Sequence, residues 1–323
     1  MKIIVTGAAG LIGSHLIDHL LEDGHQVEGI DDLSYGNLKN LDDAFKNGRF
    51  TFLQDKVQSG YFSMEDVDVI YHLASMKKPF GGAVKTSKVL TDNYRMVEKV
   101  ANVAKTSGAF LIFTSTSDVY GNSENFLEDE DISFGPPTNM RYSYALSKLY
   151  GEQYILNEVQ ETSLRASIVR IFGCASWRSN KSWSGGHVPA FVDKALRGED
   201  IFIHGDGLQT RSISHAKDVA YGLKLMVGNL KKINGEIINI GTDEQTTVKE
   251  VAEYILNKTN SKSKLIYQPR EEVFGNYKEI LVRFANTQKA KRLLGFEPKS
   301  STFDVIDEII EKFSDEDSSY YSN

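Results

Sequence analysis

Thr6-Gly7-Ala8-Ala9-Gly10-Leu11-Ile12-Gly13 follows directly on the apolar run Lys2-Ile3-Ile4-Val5 and leads straight into an amphipathic stretch over residues 11–21. An apolar run, a glycine loop and a helical pattern, in that order, describe a strand, a tight turn and a helix with unhindered first backbone amides. Those amides carry the partial positive charge of a helix N-terminus. Gly7, Gly10 and Gly13 let a pyrophosphate approach them, with Leu11 and Ile12 contributing amides of the same turn. The first glycine gap is one residue longer than in the commonest dinucleotide fingerprint, so position carries the prediction more than spacing does.

Working outward, a second strand over residues 26–30 ends in Asp31-Asp32, roughly 20 residues beyond the loop, where a carboxylate accepts from the adenosine ribose hydroxyls. Asp31 also repels a 2'-phosphate, which predicts NAD in preference to NADP. Asp55, after the apolar run 50–53, reaches towards the adenine by the same logic or else lies on the surface. Apolar runs at 67–73, 110–114 and 164–171 read as further strands, with helices near 84–105 and 143–159 between them. Such alternation predicts an α/β fold built on a Rossmann-type doubly wound parallel sheet covered on both faces.

Composition narrows the function. The 323 residues carry a formal charge of -7, and Lys and Arg are scattered, which argues against nucleic acid as partner. No apolar stretch approaches the roughly 20 residues of a membrane helix. With the chain opening straight into its first strand at Met1, the expectation is a soluble, cytoplasmic protein without a membrane partner. The single cysteine, Cys174, has no companion for a disulfide or a metal cluster and reads as a small packed side chain. His15, Asp18 and His19 share a face of the first helix but lack a further ligand, so no metal is expected and they read as surface residues. Residues 174–186, with Trp177 and Trp183, lack periodicity and read as a lid.

The fifth strand delivers Thr114-Ser115-Thr116-Ser117-Asp118-Val119-Tyr120-Gly121 to the carboxyl edge of the sheet, where open α/β folds bind ligands. Further on, Tyr144 and Lys148 stand four residues apart in Arg141-Tyr142-Ser143-Tyr144-Ala145-Leu146-Ser147-Lys148, and thus on one helix face. A phenol beside an ammonium is a proton-transferring group with its phenolate favoured, and a hydroxyl from the strand end can hold the oxygen that it serves.

With these residues in view, the chain resembles the extended short-chain dehydrogenases/reductases of the nucleotide-sugar epimerase and dehydratase group. The resemblance covers nearly the whole chain. It runs through the glycine loop, Asp31-Asp32-Leu33-Ser34, Tyr71-His72-Leu73-Ala74-Ser75, residues 115–121 and Tyr144 to Lys148. It continues in His204-Gly205-Asp206-Gly207, Thr210-Arg211-Ser212, Asn239-Ile240-Gly241 and residues 289–295. It implies tightly bound NAD, a nucleotide-sugar substrate, most simply a UDP-sugar, and a homodimer formed through the Tyr144 helix and the helix before the fifth strand. Residues 93–104 have apolar positions that serve such an interface or pack on the sheet. It further implies an NAD-binding domain of residues 1–170 plus about 212–240. A smaller C-terminal α/β substrate-binding domain would span 171–211 plus about 241–315, with 316–323 as a flexible tail.

Residue by residue, the resemblance makes Tyr144 the acid/base and Lys148 its partner on the nicotinamide ribose, with Thr116 on the sugar oxygen. Leu73, Ala74, Ser75 and Ser115 would line the cofactor cleft, and Arg211 and Arg283 would meet the substrate's phosphates. Ser117, Lys77 and His187 are further candidates for substrate contact. One departure is Gly173 in Arg170-Ile171-Phe172-Gly173, where many relatives carry a phosphate-contacting asparagine.

All reactions of the group start by oxidising a sugar hydroxyl, so the residues after Thr116 decide the second step. Ser117 is a poor acid, which disfavours dehydration of the dTDP-glucose type. Asp118, one methylene shorter than the glutamate of decarboxylases, would act as base if it reached the sugar. If it faces solvent, 4-epimerisation through a transient 4-keto sugar remains. Epimerisation of a UDP-hexose is the leading expectation, a 4,6-dehydratase or UDP-glucuronate decarboxylase the alternative, and a non-catalytic NAD-binding module the last.

Overall fold

The computed structural model describes residues 1–60, 66–77, 85–123, 125–135, 142–182, 185–270, 272 and 280–315. The proline-bearing segment 136–141, Trp183 and the tail 316–323 lie outside them.

Six strands in chain order, β1 (Lys2–Thr6), β2 (Gln26–Asp31), β3 (Phe50–Gln54), β4 (Val69–His72), β5 (Phe110–Thr116) and β6 (Arg165–Ile171), form one sheet with Ile237–Ile240. All pairs are parallel and the order is Ile237–Ile240, β6, β5, β4, β1, β2, β3. The chain runs outward from β1 in both directions, so the switch point lies between β1 and β4, and the crevice that binds ligands opens there.

Side chains alternate across each strand, and the two faces therefore build two cores. Ile3, Val5, Val69, Tyr71, Phe110, Ile112 and Val169 pack under helix α1 (Leu11–Glu22) and helix Ala216–Val227. Ile4, Ile70, Leu111, Phe113 and Ile168 point the other way, under α2 (Thr86–Ser107) and α3 (Ser143–Glu161). Between Asn93 and Ala104, Met96, Val97, Val100, Ala101, Val103 and Ala104 all bury against the sheet, which settles the two uses of that stripe in favour of packing. What α2 and α3 leave exposed is a different patch, Leu90, Tyr94, Leu146 and Tyr150.

A third apolar cluster forms away from the large sheet. Val188, Phe191 and Val192 of helix His187–Leu196 meet Val251 and Ile255 of helix Val248–Thr259, and Val305 and Ile309 of helix Thr302–Asp315. Ile201 and Ile203 join them from strand Ile201–His204, which pairs in parallel with Leu265–Gln268. Among the described residues, no helix is long and apolar enough to cross a membrane.

The glycine loop shows why two of its positions have no side chain. Gly7 has φ +72°, and a Cβ on it would stand 2.8 Å from the Ala74 amide nitrogen; a Cβ on Gly13 would stand 2.1 Å from the Gly7 carbonyl oxygen. The loop is thus closed on itself and on the end of β4. Gly13→Ala is expected to open this packing, destabilise the chain by at least about 2 kcal/mol and weaken NAD binding sharply. A thermal melt read alongside an NAD titration checks it, and an unchanged titration would contradict the assigned role of the loop.

Candidate active site

At the carboxyl edge of the sheet the cofactor candidates converge. Ser14 donates its amide to Gly10, which leaves the amides of Leu11, Ile12 and Gly13 at the start of α1 facing the crevice. Asp31 is buried at the end of β2 and accepts the amides of Ala9 (3.0 Å) and Leu33 (2.8 Å). Burial raises its pKa, and those two amides pull it back down. Asp32 is occupied locally by the amide and hydroxyl of Ser34. Asp55 lies alongside, its amide on the Asp31 carbonyl.

The facing wall is the end of β4. Thr6 Oγ1 accepts the Ala74 amide (3.2 Å) and bonds His72 Nδ1 (2.8 Å), so one hydroxyl ties β1 to the Leu73-Ala74-Ser75 segment. His72 stacks on Phe113, and burial, helped by Lys148, lowers its pKa to about 3. It is a neutral packing residue.

Tyr144 and Lys148 share a face of α3 as expected, but their partners differ from the expected mutual contact. The Tyr144 phenol is bonded to Ser75, with Asp118 close enough to act on it; burial above all, then Asp118, raises its pKa, and the Ser75 bond opposes the rise. Lys148 is 3% exposed, donates to the Thr114 carbonyl (2.9 Å) and lies 4.9 Å from the centre of the Phe113 ring. Burial lowers its pKa to about 7, against the pull of Glu152. Between about pH 7 and the ordinary lysine range the unfolded chain therefore binds the extra proton, and this group makes the fold more stable as pH rises through that window. Thermal midpoints taken from pH 7 to 9 are expected to climb less steeply in Lys148→Met than in the parent; parallel slopes would refute it.

Thr116 Oγ1 accepts the Asp118 amide (3.2 Å), which leaves its O–H to donate. Ser117 is buried. Asp118 is not simply solvent-facing: its carboxylate is paired with Arg283, 165 residues away, while it also bears on the Tyr144 phenol. Arg283 lies in Val282–Arg283, alongside Thr210–Arg211. Nearby, His187 starts its helix with its pKa lowered to about 4, by burial first and then by Arg211. Lys77 is exposed, near enough to Cys174 to oppose the rise of that thiol to about 12 that burial causes.

Gly173 has a steric reason. A Cβ there would meet the Ser212 carbonyl at 2.7 Å, and the Gly173 carbonyl accepts the Ser214 amide. An asparagine at this position is excluded by the approach of the Arg211-Ser212 backbone.

Several buried polar atoms here have no protein partner among the described residues: Ser115 Oγ, Arg283 Nε, His187 Nε2 and Ser212 Oγ. Each such group costs on the order of 1–3 kcal/mol, so their gathering around one crevice marks a surface shaped for a polar ligand. A closed glycine cradle, a buried ribose-facing carboxylate and the orphaned Ser115 hydroxyl fit a dinucleotide.

Three residues of the site carry no local mark in the sequence. Asn93, 3% exposed, accepts the Met76 amide (2.7 Å) and donates to Met76 O (3.0 Å) and Ser147 Oγ (2.9 Å), which ties the Ser75 segment to α3. Its signal is a polar side chain on the buried stripe of α2. Glu152 and Arg170, the other two, form a buried ion pair beneath Lys148. The first helix departs from its expected surface role: His15 is buried and bonded to Ser176 (2.9 Å), and Asp18 pairs with Arg178. Residues 174–182 are accordingly packed into the body instead of standing off it as a lid, with Ser176 and Ser179 buried and Trp177 on the third core. No group of three or more metal-binding side chains occurs among the described residues.

Comparison with known proteins adds the lineage. The family model for the NAD dependent epimerase/dehydratase family matches residues 3–241. The UDP-N-acetyl-alpha-D-glucosaminuronate decarboxylase of Bacillus cytotoxicus is 32% identical over 84% of this chain and 85% of its own length. The UDP-glucuronic acid decarboxylase 1 of Danio rerio is 31% identical over 84% of this chain, which spans 64% of that longer protein. Among solved structures, the UDP-glucuronic acid 4-epimerase of Bacillus cereus, in complex with UDP-glucuronic acid and NAD, superposes with a TM-score of 0.86 at 26% identity. That match covers 97% of this chain and 99% of the other.

Proposed function

The chain belongs to the NAD-dependent epimerase/dehydratase family, and on that premise we propose that it is a UDP-sugar 4-epimerase acting through a transient 4-keto sugar. The observation that supports the reading is that Lys148, on the same face of α3 as Tyr144, donates to the Thr114 carbonyl two residues before Thr116, at the carboxyl edge of the sheet where the glycine loop also lies. Bound NAD supplies the acceptor for the C4 hydrogen and returns it. The chain's own residues handle the rest. Gly7 to Gly13 and Asp31 hold the dinucleotide, Ser115 and the Leu73-Ala74-Ser75 segment line its cleft, and Lys148 holds its ribose. Tyr144 moves the proton of the C4 oxygen, and Thr116 donates to that same oxygen so that it is presented to the phenol. Arg211 and His187 meet the pyrophosphate. Epimerisation needs no further acid or base, and the carboxylate nearest the phenol, Asp118, is already engaged by Arg283.

That pair also favours a second reading, decarboxylation of a UDP-hexuronate. Asp118 stands close enough for its charge to raise the pKa of the Tyr144 phenol, and Arg283 keeps a buried Nε–H to spare, a donor matched to a sugar carboxylate. The Bacillus cytotoxicus and Danio rerio relatives are UDP-uronate decarboxylases, and the superposed epimerase also takes a uronate. Dehydration is the weaker outcome, because the Ser117 hydroxyl is too weak an acid to assist loss of water.

Incubating the protein with UDP-hexoses, their N-acetyl forms and the corresponding uronates in deuterated water separates these outcomes by NMR. A 4-epimer without deuterium on carbon is the expected product. Carbon dioxide release with deuterium at C5 would replace the first reading by the second, and unchanged sugars throughout would refute both. Asp118→Asn sharpens the choice: it is expected to slow epimerisation less than about tenfold, whereas a decarboxylase that depends on this carboxylate stops releasing carbon dioxide.

We also propose a homodimer through the patch of Leu90, Tyr94, Leu146 and Tyr150. Tyr94 and Tyr150 already bridge α2 and α3, their rings 4.9 Å apart, and exposed apolar side chains grouped in this way mark an interface. Light scattering on a Tyr150→Glu variant is expected to show a monomer; an unchanged mass would refute the assignment.

A further inference from the structure

We infer that Asn239 is a positioning residue for the Asp118–Arg283 pair, because its one side-chain amide ties the turn that carries Asp118 to the segment that carries Arg283. The inference rests on the UDP-sugar reading of the site, and it concerns a residue with no route to the substrate. Asn239 is fully buried in strand Ile237–Ile240 at the edge of the large sheet. Its Oδ1 accepts the Tyr120 hydroxyl at 2.8 Å, and Tyr120 closes the one-turn helix Ser117–Tyr120 to which Asp118 belongs. Its Nδ2 donates to the Phe126 carbonyl at 2.9 Å and to the Asn286 carbonyl at 3.2 Å, three residues beyond Arg283.

The surroundings make these bonds decisive for geometry. Val119, Tyr120, Phe126, Phe172 and Ala285 close a buried apolar cluster in the same place, with Leu149 and Phe284 at its rim. Inside such a cluster no solvent competes, so a fully satisfied amide holds its partners strongly and an incomplete one is costly. The fork of two donors and one acceptor belongs to an amide; aspartate lacks the donors and leucine lacks all three. Phe126, whose φ of +55° is unusual for a side-chain-bearing residue, is held by the same amide. Asp118 and Arg283 lie on separate elements and Asp118 is part-exposed, so their pairing depends on how those two backbones are spaced. Asn239 sets that spacing from both sides.

Tyr120→Phe and Asn239→Ala test this, each made with and without Arg283→Ala. Asn239→Ala strands three buried groups and is liable to fold poorly; Tyr120→Phe removes one hydroxyl and keeps the ring. In the parent, Tyr120→Phe is expected to lower kcat/KM for the best UDP-sugar about threefold, and less than about 1.5-fold once Arg283 is alanine, with NAD affinity unchanged. Equal losses in both backgrounds, or a matching fall in NAD affinity, would show a general packing role and overturn the inference. If the parent turns over no UDP-sugar, it is the function reading that fails. The pairing is then read from the arginine Nε–H NMR signal of Arg283, assigned through Arg283→Lys. That signal is expected to shift in Tyr120→Phe, and an unmoved signal overturns the inference independently of activity.

Discussion

A Tyr144→Phe variant is expected to keep its fold and its NAD while losing turnover of its UDP-sugar by about 10²- to 10⁴-fold, the range over which a positioned proton-transfer group acts. The change removes one oxygen and keeps the ring, so the packing of α3 on α2 and β5 is preserved. What disappears is the group bonded to Ser75 and influenced by Asp118. Neither neighbour replaces it: Thr116 has its oxygen on the Asp118 amide, and Lys148 is turned to the Thr114 carbonyl. Steady-state turnover together with an NAD titration checks the expectation. Full activity would remove Tyr144 from the mechanism, and loss of NAD binding would make its role structural.

The largest stability effect is expected from Glu152→Gln. Arg170 and Glu152 are each only 3% exposed in their side chains and meet through Arg170 Nε (3.0 Å) and Nη2 (2.7 Å). Arg170 also donates to the Glu128 carbonyl and lies 4.7 Å from the centre of the Tyr120 ring. Removing the carboxylate charge leaves a buried guanidinium uncompensated, which costs about 3–5 kcal/mol. Denaturant unfolding measures it. Joining Glu152→Leu to Arg170→Met is expected to recover most of the loss, since an apolar pair of similar size needs no desolvation. A single variant as stable as the parent would mean that water reaches the pair. Glu152 also lies one helical turn beyond Lys148 and supports its charge, so the same variant links the core to the site.

Local patterning carries much of this molecule. The strand, glycine loop and helix at 2–22, the acidic end of β2 and the Tyr144 to Lys148 spacing are all short-range, and a period of 2 or 3.6 is enough to place them. The cofactor crevice is legible for that reason. The contacts that escape a sequence reading join residues far apart in the chain: Asp118 with Arg283, His15 with Ser176, Arg170 with Glu152. Nothing in the residues flanking His15 distinguishes a helix face that meets solvent from one that meets a second layer of structure. Asn93 and Glu152 are polar side chains at helix positions that bury, and only the packed neighbours show that their hydrogen bonds are satisfied.

The sequence by itself determined the parallel doubly wound sheet and the family, because each strand, turn and helix there is specified by residues within a turn or two of one another. Tertiary structure alone decided that Asp118 is held by Arg283, that Gly173 yields to the Ser212 carbonyl, and that Asn239 joins the two segments bearing the pair. Those arrangements depend on which distant backbones approach within hydrogen-bonding distance, and that is set by closing the core around them, which no local pattern encodes.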